Sequence, residues 1–507
     1  MSYKKSLLGS AAVCAALALS APAHAQSGSF NSQIQALQDQ IRQLNQQIQN
    51  LQGQVNQTQQ NQAQTQRSVD QIKSQPAASS SGIIASMPNN RPTLSTADGQ
   101  NSIGITGRLH FDMGDYLDYN PQSRRVGPND LNSGVNLRRG RLGVVGKVLG
   151  DWNYAFIYDF GGTNDTGPGG GGVTTGGIET AEVTYNGFRP IAFELGYQDI
   201  PYTLDEATSS NDIMFIERAS SQVIATNIAA NDFRSNVGGH WNNDRAWVGI
   251  YGTGPQSGAN HAVGQQFGAV GRATYQVLQN DNYSFHIGAD AEGLIKPARD
   301  STGSFRAITF SDRPELRIDT TQILSTGTIG SVANPVTGAH VLGAELAGGY
   351  GSAFAQAEYF HYNVARAGLH DLDFDGGYVE GSYTITGEHR KYIPGAGAYS
   401  GISPARPFSI TNGGWGAWEL AARYSIVDLN DLFIPGQTTA STNGVAGGHQ
   451  EVVTLGVNWY VNNNIRFMFD YLHGFIDKKS GSAATAPLGS GIGGNFDAIA
   501  LRTQVAW

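Results

Sequence analysis

Cysteine is nearly absent from the sequence, since its only copy, Cys14, lies within the first 25 residues. This excludes a disulfide framework, a thiol nucleophile and a cysteine metal site from the rest of the chain. Beyond residue 25 no run of about 18 apolar residues occurs, which excludes a helical membrane span. Only 14% of the residues are charged, and the formal net charge is -9. That balance argues against binding nucleic acid through its phosphates.

Motifs that carry chemistry are also scarce. The eleven histidines show no zinc spacing, and no Lys-Ser/Thr follows the glycine run at 169–172 as it would in a phosphate-binding loop. Asp371, Asp373 and Asp375 alternate, but the segment lacks the glycine and final glutamate of an EF-hand. No nucleophile elbow or Ser/His/Asp grouping follows from spacing. We therefore predict no enzymatic activity, no cofactor and no metal site.

The N-terminus carries an export signal. Lys4 and Lys5 precede an apolar run at 7–21, and Ala23-His24-Ala25 follows it. A positive patch, a short apolar core and a small-x-small exit predict a secretory signal peptide at 1–25, cleaved before Gln26. The apolar run is too short for a bilayer-spanning helix.

Residues 26–74 are rich in glutamine and carry apolar residues at alternating spacings of three and four. This heptad pattern predicts an α-helical coiled coil, with β-branched residues at a and mostly leucine at d. Coiled coils with β-branched residues at a and leucine at d favour a parallel dimer. A trimeric barrel would require three helices, so the heptad pattern leaves the number of helices open. The seam positions are Ile34, Leu37, Ile41, Leu44, Ile48, Leu51, Val55 and Thr58, with Val69 and Ile72 in the same phase. Residues 75–100 contain proline, serine and asparagine without periodicity and predict a flexible linker.

Residues 101–507 have the pattern of an all-β membrane protein. Aromatic and aliphatic residues alternate with polar ones, as in the segments 152–160 and 465–471. Soluble β-sandwiches alternate too, but here strands of about ten residues are joined by short and long connections in turn, which is the layout of an outer-membrane barrel. The 66 glycines and the 21 tyrosines and 21 phenylalanines suit tight turns and an aromatic surface. We predict a 16-stranded antiparallel transmembrane β-barrel, with 296–338 as one long outer loop and 388–413 as a periplasmic excursion.

The chain ends on an aromatic residue that completes a period-two pattern: Ile499, Leu501, Thr503, Val505 and Trp507. This ending resembles the signal read by the machinery that inserts bacterial barrels. It predicts that the last strand lies in the barrel wall and that the protein is located in the outer membrane of a Gram-negative bacterium.

Several stretches resemble the phosphate- and pyrophosphate-selective porin family, the outer-membrane porins O and P, over nearly all of 101–507. They include Leu137-Arg138-Arg139, Asp151-Trp152-Asn153-Tyr154, the segments 181–188 and 206–210, Trp415-Gly416-Ala417-Trp418-Glu419 and Val457-Asn458-Trp459-Tyr460. The resemblance implies a trimer of sixteen-stranded barrels, with loop three, here about 199–234, folded inward as the constriction. It also implies that anions move along inward-facing arginines. Arg108 matches the family's arginine in the first strand, and Arg138 and Arg139 match the pair in the second.

Alternation selects the residues that we expect to line the pore and guide anions. These are Arg108, Arg139, Arg141, Lys147, Arg272, Arg423 and Arg466. Without a bulge Arg138 would point outward, and because an outward arginine at mid-membrane costs about 2–4 kcal/mol, we place Arg138 at the rim. The expected constriction loop contributes Asp199, Asp205, Glu206, Glu217 and Arg218.

The sequence departs from the family where phosphate-selective members carry lysine or other basic residues. It has Ala207 after Glu206, Asn153 after Trp152, and Asn211-Asp212 after the serine pair. We predict a porin for passive diffusion of small hydrophilic solutes, including phosphate-type anions. A general or cation-leaning porin and a structural barrel or adhesin with a plugged lumen are the alternatives. Expected partners are outer-membrane lipids, the permeating ions, two further copies in a homotrimer and, through the coiled coil, the peptidoglycan layer.

Overall fold

The computed structural model describes the residues 41–43, 45–46, 49, 82–121, 131–161, 176–230, 233–256, 261–280, 282–484 and 486–507. The chain divides into two units, Met1–Ser79 and Ser80–Trp507. In the first unit the few described residues are helical. The predicted signal peptide, and the predicted coiled coil apart from those residues, lie outside the described part of the chain. None of the described helices is both long and apolar enough to cross a membrane.

The second unit is a closed antiparallel barrel of sixteen strands. In chain order they are β1 Ser102–Pro121, β2 Gly134–Val148, β3 Trp152–Asp159, β4 Gly177–Phe188, β5 Ile191–Gln198, β6 Arg234–Asn242, β7 Ala246–Thr253, β8 Phe267–Gln279, β9 Tyr283–Lys296, β10 Val336–Tyr350, β11 Ala353–Arg366, β12 Leu372–Thr384, β13 Ala417–Asp431, β14 Val445–Tyr460, β15 Ile465–Asp477 and β16 Gly494–Ala506. Each strand pairs with the next, and β16 pairs with β1. Closure leaves no open sheet edge, which a lipid environment requires. The predicted sixteen-stranded fold is confirmed.

Alternating burial along the strands produces two distinct surfaces. In β15, Phe467, Phe469 and Phe475 are exposed on the outside, whereas Arg466 and Asp470 are buried on the inside. The outer surface also carries an aromatic group near the strand ends. Trp418, Trp459 and Phe467 stack in sequence with ring centroids 5.4 and 5.6 Å apart. Such a row is typical of a barrel at a membrane interface.

The connections define two rims. At one rim most are short, as at 149–151, 189–190 and 351–352, and we call it the short-turn rim. The other, the long-loop rim, carries the connections 199–233, 297–335 and 478–493 among others. The predicted even number of strands required one long connection at each rim. It is confirmed, because 297–335 lies at the long-loop rim and the excursion 385–416 leaves from the short-turn rim.

Residues 82–100 are not the linker that we predicted. Ile83–Ser86 and Thr93–Thr96 form an antiparallel hairpin, and the second of these strands pairs with the start of β1. Pro88 begins the 3-10 turn between them, and Asn89 adopts a positive φ of 51°. A linker prediction from composition fails here because the pairing partner, β1, supplies the hydrogen bonds.

Three connections fill much of the barrel interior. The connection 199–233, which we call the constriction loop, contains the helices α1 Leu204–Ala207 and α2 Ser220–Thr226, and its described residues are almost wholly buried. From the long-loop rim, 297–335 adds the buried Glu315. From the short-turn rim, the excursion 385–416 inserts Tyr399, whose ring lies 4.8 Å from that of Phe354. The inward fold of the constriction loop is therefore confirmed.

The seam that closes the barrel ends at Trp507. Gly107 and Trp507 exchange two backbone hydrogen bonds of 3.2 and 3.1 Å. The indole ring lies over Gly107 so closely that a Cβ atom there would fall 2.2 Å from a ring carbon. Glycine at this position is thus a packing requirement set by the terminal aromatic residue.

We predict that Gly107→Ala destabilises the folded barrel by about 1–3 kcal/mol, the usual cost of inserting a methyl group into a packed site. Urea unfolding, followed by gel mobility of the unheated protein, measures the change. Gly271→Ala is the matched control, because Gly271 lies on strand β8 and has only one atom, at 3.8 Å, near its Cβ position. Equal stability of the two variants would contradict the packing role of Trp507.

Candidate functional site in the barrel lumen

Arginines cluster on one side of the lumen and carboxylates on the other, with Asp112 and Asp470 lying among the arginines. Strands β1, β2, β15 and β16 carry the basic wall, which consists of Arg108, Arg138, Arg139, Arg141, Arg466 and Arg502. Strands β9 to β12 carry the acidic wall, which consists of Asp290, Glu292, Glu345, Glu358 and Glu380. Because the constriction loop lies between these walls, both signs of charge act on whatever passes it.

The basic wall holds the constriction loop through Glu217. Its carboxylate accepts hydrogen bonds from Arg138, at 2.8 and 3.2 Å, and from Arg502 Nη2, at 3.0 Å. Arg502 also forms a two-bond pair with Asp112, at 2.6 and 2.7 Å, and donates to the Ile216 carbonyl at 2.6 Å. Charge-assisted bonds of this kind, buried between protein groups, fix both partners in place.

Two further arginines bind the loop. Arg466 donates from Nη1 to the carbonyls of Asn211 and Ile213, at 3.2 and 2.8 Å. Arg423 donates to the Glu217 carbonyl at 2.8 Å and pairs with Glu315 at 2.7 Å. Both of these sequence-predicted residues therefore face the lumen, and protein atoms engage their Nη donors but not their Nε donors among the described residues.

The acidic wall binds the same loop through its backbone amides. Glu358 accepts from the amides of Leu204 and Asp205, at 2.6 and 3.2 Å. Glu292 accepts from Ala229 and Ala230, at 3.0 and 2.7 Å. The loop is thus held from both sides of the barrel.

Within the loop, acidic groups are largely offset by nearby arginines. Arg218 lies 3.4 Å from Glu206 and 3.7 Å from Asp205. Burial raises the pKa of Asp205, and Arg218 opposes that rise. Burial likewise raises the pKa of Asp212, which Arg390 opposes. These loop carboxyls therefore contribute less negative charge at the constriction than their number suggests. Asp199, which precedes them after β5, is half-buried.

Arg139 differs from the other arginines of the basic wall. Its side chain is 2% exposed, and its Nε and Nη1 atoms are buried without a hydrogen-bond partner among the described residues. The charged groups that act most strongly on it are three cations, Arg138, Arg141 and Arg502, and one anion, Glu217. Buried guanidinium donors without an acceptor are costly, so Arg139 is a candidate anion site.

Arg108 and Arg141 lie next to this site and line a cavity of about 220 Å³ that also touches Arg91 and Glu179. Arg141 pairs with Asp159 and Glu179, at 2.8 and 2.6 Å. Arg108 donates to the hydroxyls of Ser210 and Ser209 in the constriction loop, at 2.6 and 3.2 Å. The structure therefore brings Arg108, Arg139 and Arg141 together on one wall.

Lys147 and Arg272 stand apart from that group. Lys147 lines a second cavity, of about 420 Å³ at the short-turn rim, together with Arg189 and His240. Arg272 pairs with Glu345 at 3.0 Å and donates to the Ala396 and Gly397 carbonyls of the excursion, at 3.1 and 2.7 Å. Lys147 thus lines a cavity, whereas Arg272 anchors the excursion.

The rim position predicted for Arg138 is wrong. The register of β1 and β2 pairs His110 with Arg139 and Phe111 with Leu137, which leaves Arg138 as the extra residue of a β-bulge. The bulge turns its side chain inward, where it is 3% exposed and bonded to Glu217. A bulge removes the cost that an outward arginine would carry.

Comparison with known proteins agrees with this architecture. The family described as phosphate-selective porin O and P matches residues 103–507. The chain belongs to this family. Porin O of Pseudomonas aeruginosa is 25% identical over 406 residues, which cover 76% of this chain and 85% of that protein. An uncharacterized protein of Caulobacter vibrioides is 24% identical over 388 residues, covering 74% and 68% of the two chains.

Among solved structures, OmpT of Vibrio cholerae is similar to this chain with a TM-score of 0.45 and 14% identity, covering 80% of this chain and 98% of its own. Family membership identifies the protein as an outer-membrane porin, a channel for small solutes. The short-turn rim of the porin faces the periplasm, and the long loops face outward, as in other outer-membrane barrels.

Several residues of the site were not among the predicted ones. Arg502 holds Glu217 and is itself paired with Asp112, Glu315 pairs with Arg423, and Arg390 binds Glu419 at 2.9 to 3.1 Å. Alternation along β1 and β16 is the sequence signal that identifies Asp112 and Arg502 as inward-facing. Glu315 and Arg390 lie in long connections, where no periodicity exists to place them.

We predict that Glu217→Gln loosens the constriction loop of this porin, because it leaves Arg138 and Arg502 without their shared counter-charge. Breaking a buried ion pair in this way costs about 3–5 kcal/mol. Single-channel recordings should show larger current fluctuations, and the unfolding midpoint in urea should fall.

Glu388→Gln is the control for that variant. Glu388 lies in the excursion 385–416 and has the same charge, but its partners are Thr386 Oγ1 and the Ala405 amide rather than the basic wall. Steady currents and an unchanged midpoint in the Glu217 variant would show that Glu217 does not hold the loop.

Proposed function

We propose that this porin passes small anions, phosphate among them, by passive diffusion along the basic wall. Arg139 carries the proposal, because it has buried donors that no described residue satisfies and three of the four charged groups that act most strongly on it are cations. An anion that enters supplies the missing acceptor. The bidentate geometry of a guanidinium suits the oxygens of phosphate. The comparison with Porin O and the family description support the same class of solute.

Basic residues also line the periplasmic end of the proposed path. The cavity of about 420 Å³ contains Lys147, Arg189 and His240 and has no acidic residue in its lining. The cavity of about 220 Å³ contains Arg91, Arg108 and Arg141 against a single acidic side chain, Glu179. Charge of one sign in a low-dielectric channel raises the local concentration of the opposite ion.

The constriction loop adds neutral donors beside these cations. The Ser209 and Ser210 hydroxyls lie against Arg108, and His110 Nε2 lies 3.0 Å from Asn211 Oδ1. Hydroxyl and amide groups hydrogen-bond an anion without holding it as tightly as a full charge does. Conduction needs that balance, because an ion must leave each site as readily as it enters.

A cation-leaning general porin is the second candidate, and the acidic wall favours it. Asp290, Glu345 and Glu358 lie close together on that side of the lumen. The lysine that phosphate-selective members of the family carry in the constriction loop is also missing. Ala207 stands at its position and packs in an apolar cluster with Leu204. A plugged structural barrel is the third candidate, and it predicts no conductance.

The reversal potential measured under a KCl gradient distinguishes the three candidate functions. We expect this potential to have the sign of a channel that prefers anions. We predict that Arg139→Gln lowers the anion-to-cation permeability ratio and weakens phosphate block of the chloride current by at least about tenfold. A lost charge-assisted hydrogen bond is worth about 1.5–3 kcal/mol, and about 1.4 kcal/mol corresponds to tenfold. Combining it with Arg108→Ala should lower the ratio further.

Arg245→Gln is the matched control, since it removes the same charge from an exposed turn at the short-turn rim. It should leave both the ratio and the phosphate block unchanged. A cation-preferring reversal potential in the unaltered protein, or phosphate block that is equal in the Arg139 and Arg245 variants, would overturn the proposal.

For the N-terminal unit we propose export by a cleaved signal peptide at 1–25 and a coiled coil at 26–74 that extends into the periplasm. The coiled coil aligns the protomers of a homotrimer and contacts the peptidoglycan layer. The heptad seam and the periplasmic position of the N-terminus support this proposal.

Deleting residues 34–72 tests the periplasmic role. We predict that less of the porin then sediments with purified cell wall, while the barrel still conducts. Cross-linking reports the number of protomers in both forms. Unchanged sedimentation of the shortened protein would contradict the peptidoglycan contact, and a monomeric full-length protein would contradict the trimer.

A further inference from the structure

Three buried carboxylates meet on the acidic wall, away from the proposed anion path. Asp290 on β9, Glu345 on β10 and Glu358 on β11 are 5%, 1% and 3% exposed. One oxygen from each lies within 4.8 Å of the others. Glu345 and Glu358 are direct cross-strand partners, an arrangement in which like charges destabilise a sheet.

Two glycines create the space for this cluster. A Cβ atom at Gly288 would fall 1.9 Å from Glu345 Oε1, and one at Gly343 would fall 2.1 Å from Asp290 Oδ1. The carboxylates of Glu345 and Asp290 therefore lie flat against the sheet over these two glycines. A side chain at either glycine position would displace the carboxylate above it. The backbone is built to bring the acidic groups close together.

The charge of the cluster is only partly balanced. Arg272 pairs with Glu345 at 3.0 Å and offsets one of the three negative charges. Glu358 is hydrogen-bonded to Tyr378 Oη at 2.6 Å and to two amides of the constriction loop, none of which carries a charge. In their ionised forms Asp290 and Glu358 leave two negative charges in a buried site, and a buried charge is costly unless it is paired or bound to a metal.

A buried histidine without a hydrogen bond among the described residues lies next to the carboxylate cluster. His286 is fully buried, and its Nε2 lies 3.7 Å from Glu345 Oε1. Neither of its ring nitrogens has a hydrogen bond among the described residues. The Tyr202 hydroxyl lies beside Asp290 and interacts with its carboxylate.

From these observations we propose that Asp290, Glu345 and Glu358 bind one divalent metal ion, with His286 and Tyr202 at its edge. The two positive charges of the ion would balance the negative charges of ionised Asp290 and Glu358. Ligands on opposite sides of a Ca²⁺ ion, each about 2.3–2.6 Å away, are separated by about 4.6–5.2 Å, and one oxygen from each of the three carboxylates lies within 4.8 Å of the others. Carboxylate oxygens select a hard cation such as Ca²⁺ or Mn²⁺.

The ion would act on the constriction loop through Glu358, whose two oxygens accept from the amides of Leu204 and Asp205. A bound cation fixes the orientation of this carboxylate, and the carboxylate in turn fixes the start of α1. The inference is independent of which solute the pore conducts, because the site lies on the wall opposite Arg139.

Isothermal titration of the full-length porin in detergent, after removal of metals with EDTA, tests the proposal. The probes are CaCl₂ and MnCl₂, each titrated alone. We expect one ion per protomer for at least one of them, and affinity at least about tenfold weaker in Asp290→Asn. Glu182→Gln is the control, because Glu182 lies on β4 and outside the cluster. No binding by either ion, or equal binding by the Asp290 and Glu182 variants, would overturn the site.

Thermal unfolding of the unaltered protein provides a second measurement that needs no variant to fold. The bound ion should raise the unfolding midpoint relative to EDTA, in a concentration-dependent manner. If protons rather than a metal neutralise the cluster, the midpoint is the same with EDTA and with either ion, and Glu358→Gln alone stabilises the barrel. That result would also overturn the proposal.

Discussion

The attachment of the constriction loop to the basic wall centres on one carboxylate, that of Glu217. It lies between Arg138 of β2 and Arg502 of β16, and these two strands are the neighbours of β1 on its two sides. A β-barrel directs every second side chain into an enclosed space, and charged groups there are stable only when they are paired. The barrel wall supplies arginines, the loop supplies the counter-charge, and the ion pair that results sets how far the loop enters the lumen.

The same requirement explains why most lumen arginines are not available to a solute. Arg272, Arg423, Arg466 and Arg502 each bind a carboxylate or a backbone carbonyl of an inserted segment. What remains for an ion is the small group around Arg139. A pore-lining arginine in the sequence is therefore more often a support for the constriction than a binding site for the solute.

Much of the fold could be predicted from the sequence, because alternation and connection length both act locally. They gave the strand number, the two rims and the inward faces of β1, β2, β13 and β15. They failed at Arg138, where one extra residue shifts the register, and at 82–100, where pairing with β1 overrides a composition typical of a linker. The inward fold of 199–233 was expected only from the family resemblance. The carboxylate cluster was missed because Asp290, Glu345 and Glu358 lie on three strands separated in the sequence, and none of them stands in a motif.

The closing seam has a consequence for how the barrel is made. The hydrogen bond from Thr106 to the carbonyl of Trp507 joins residues 401 positions apart, and the last strand has no partner on its free edge except the first. Contacts so distant in sequence form slowly. The barrel therefore cannot close until strand β16 has formed, and every intermediate without it exposes one unpaired edge on β1 and another on the last strand formed.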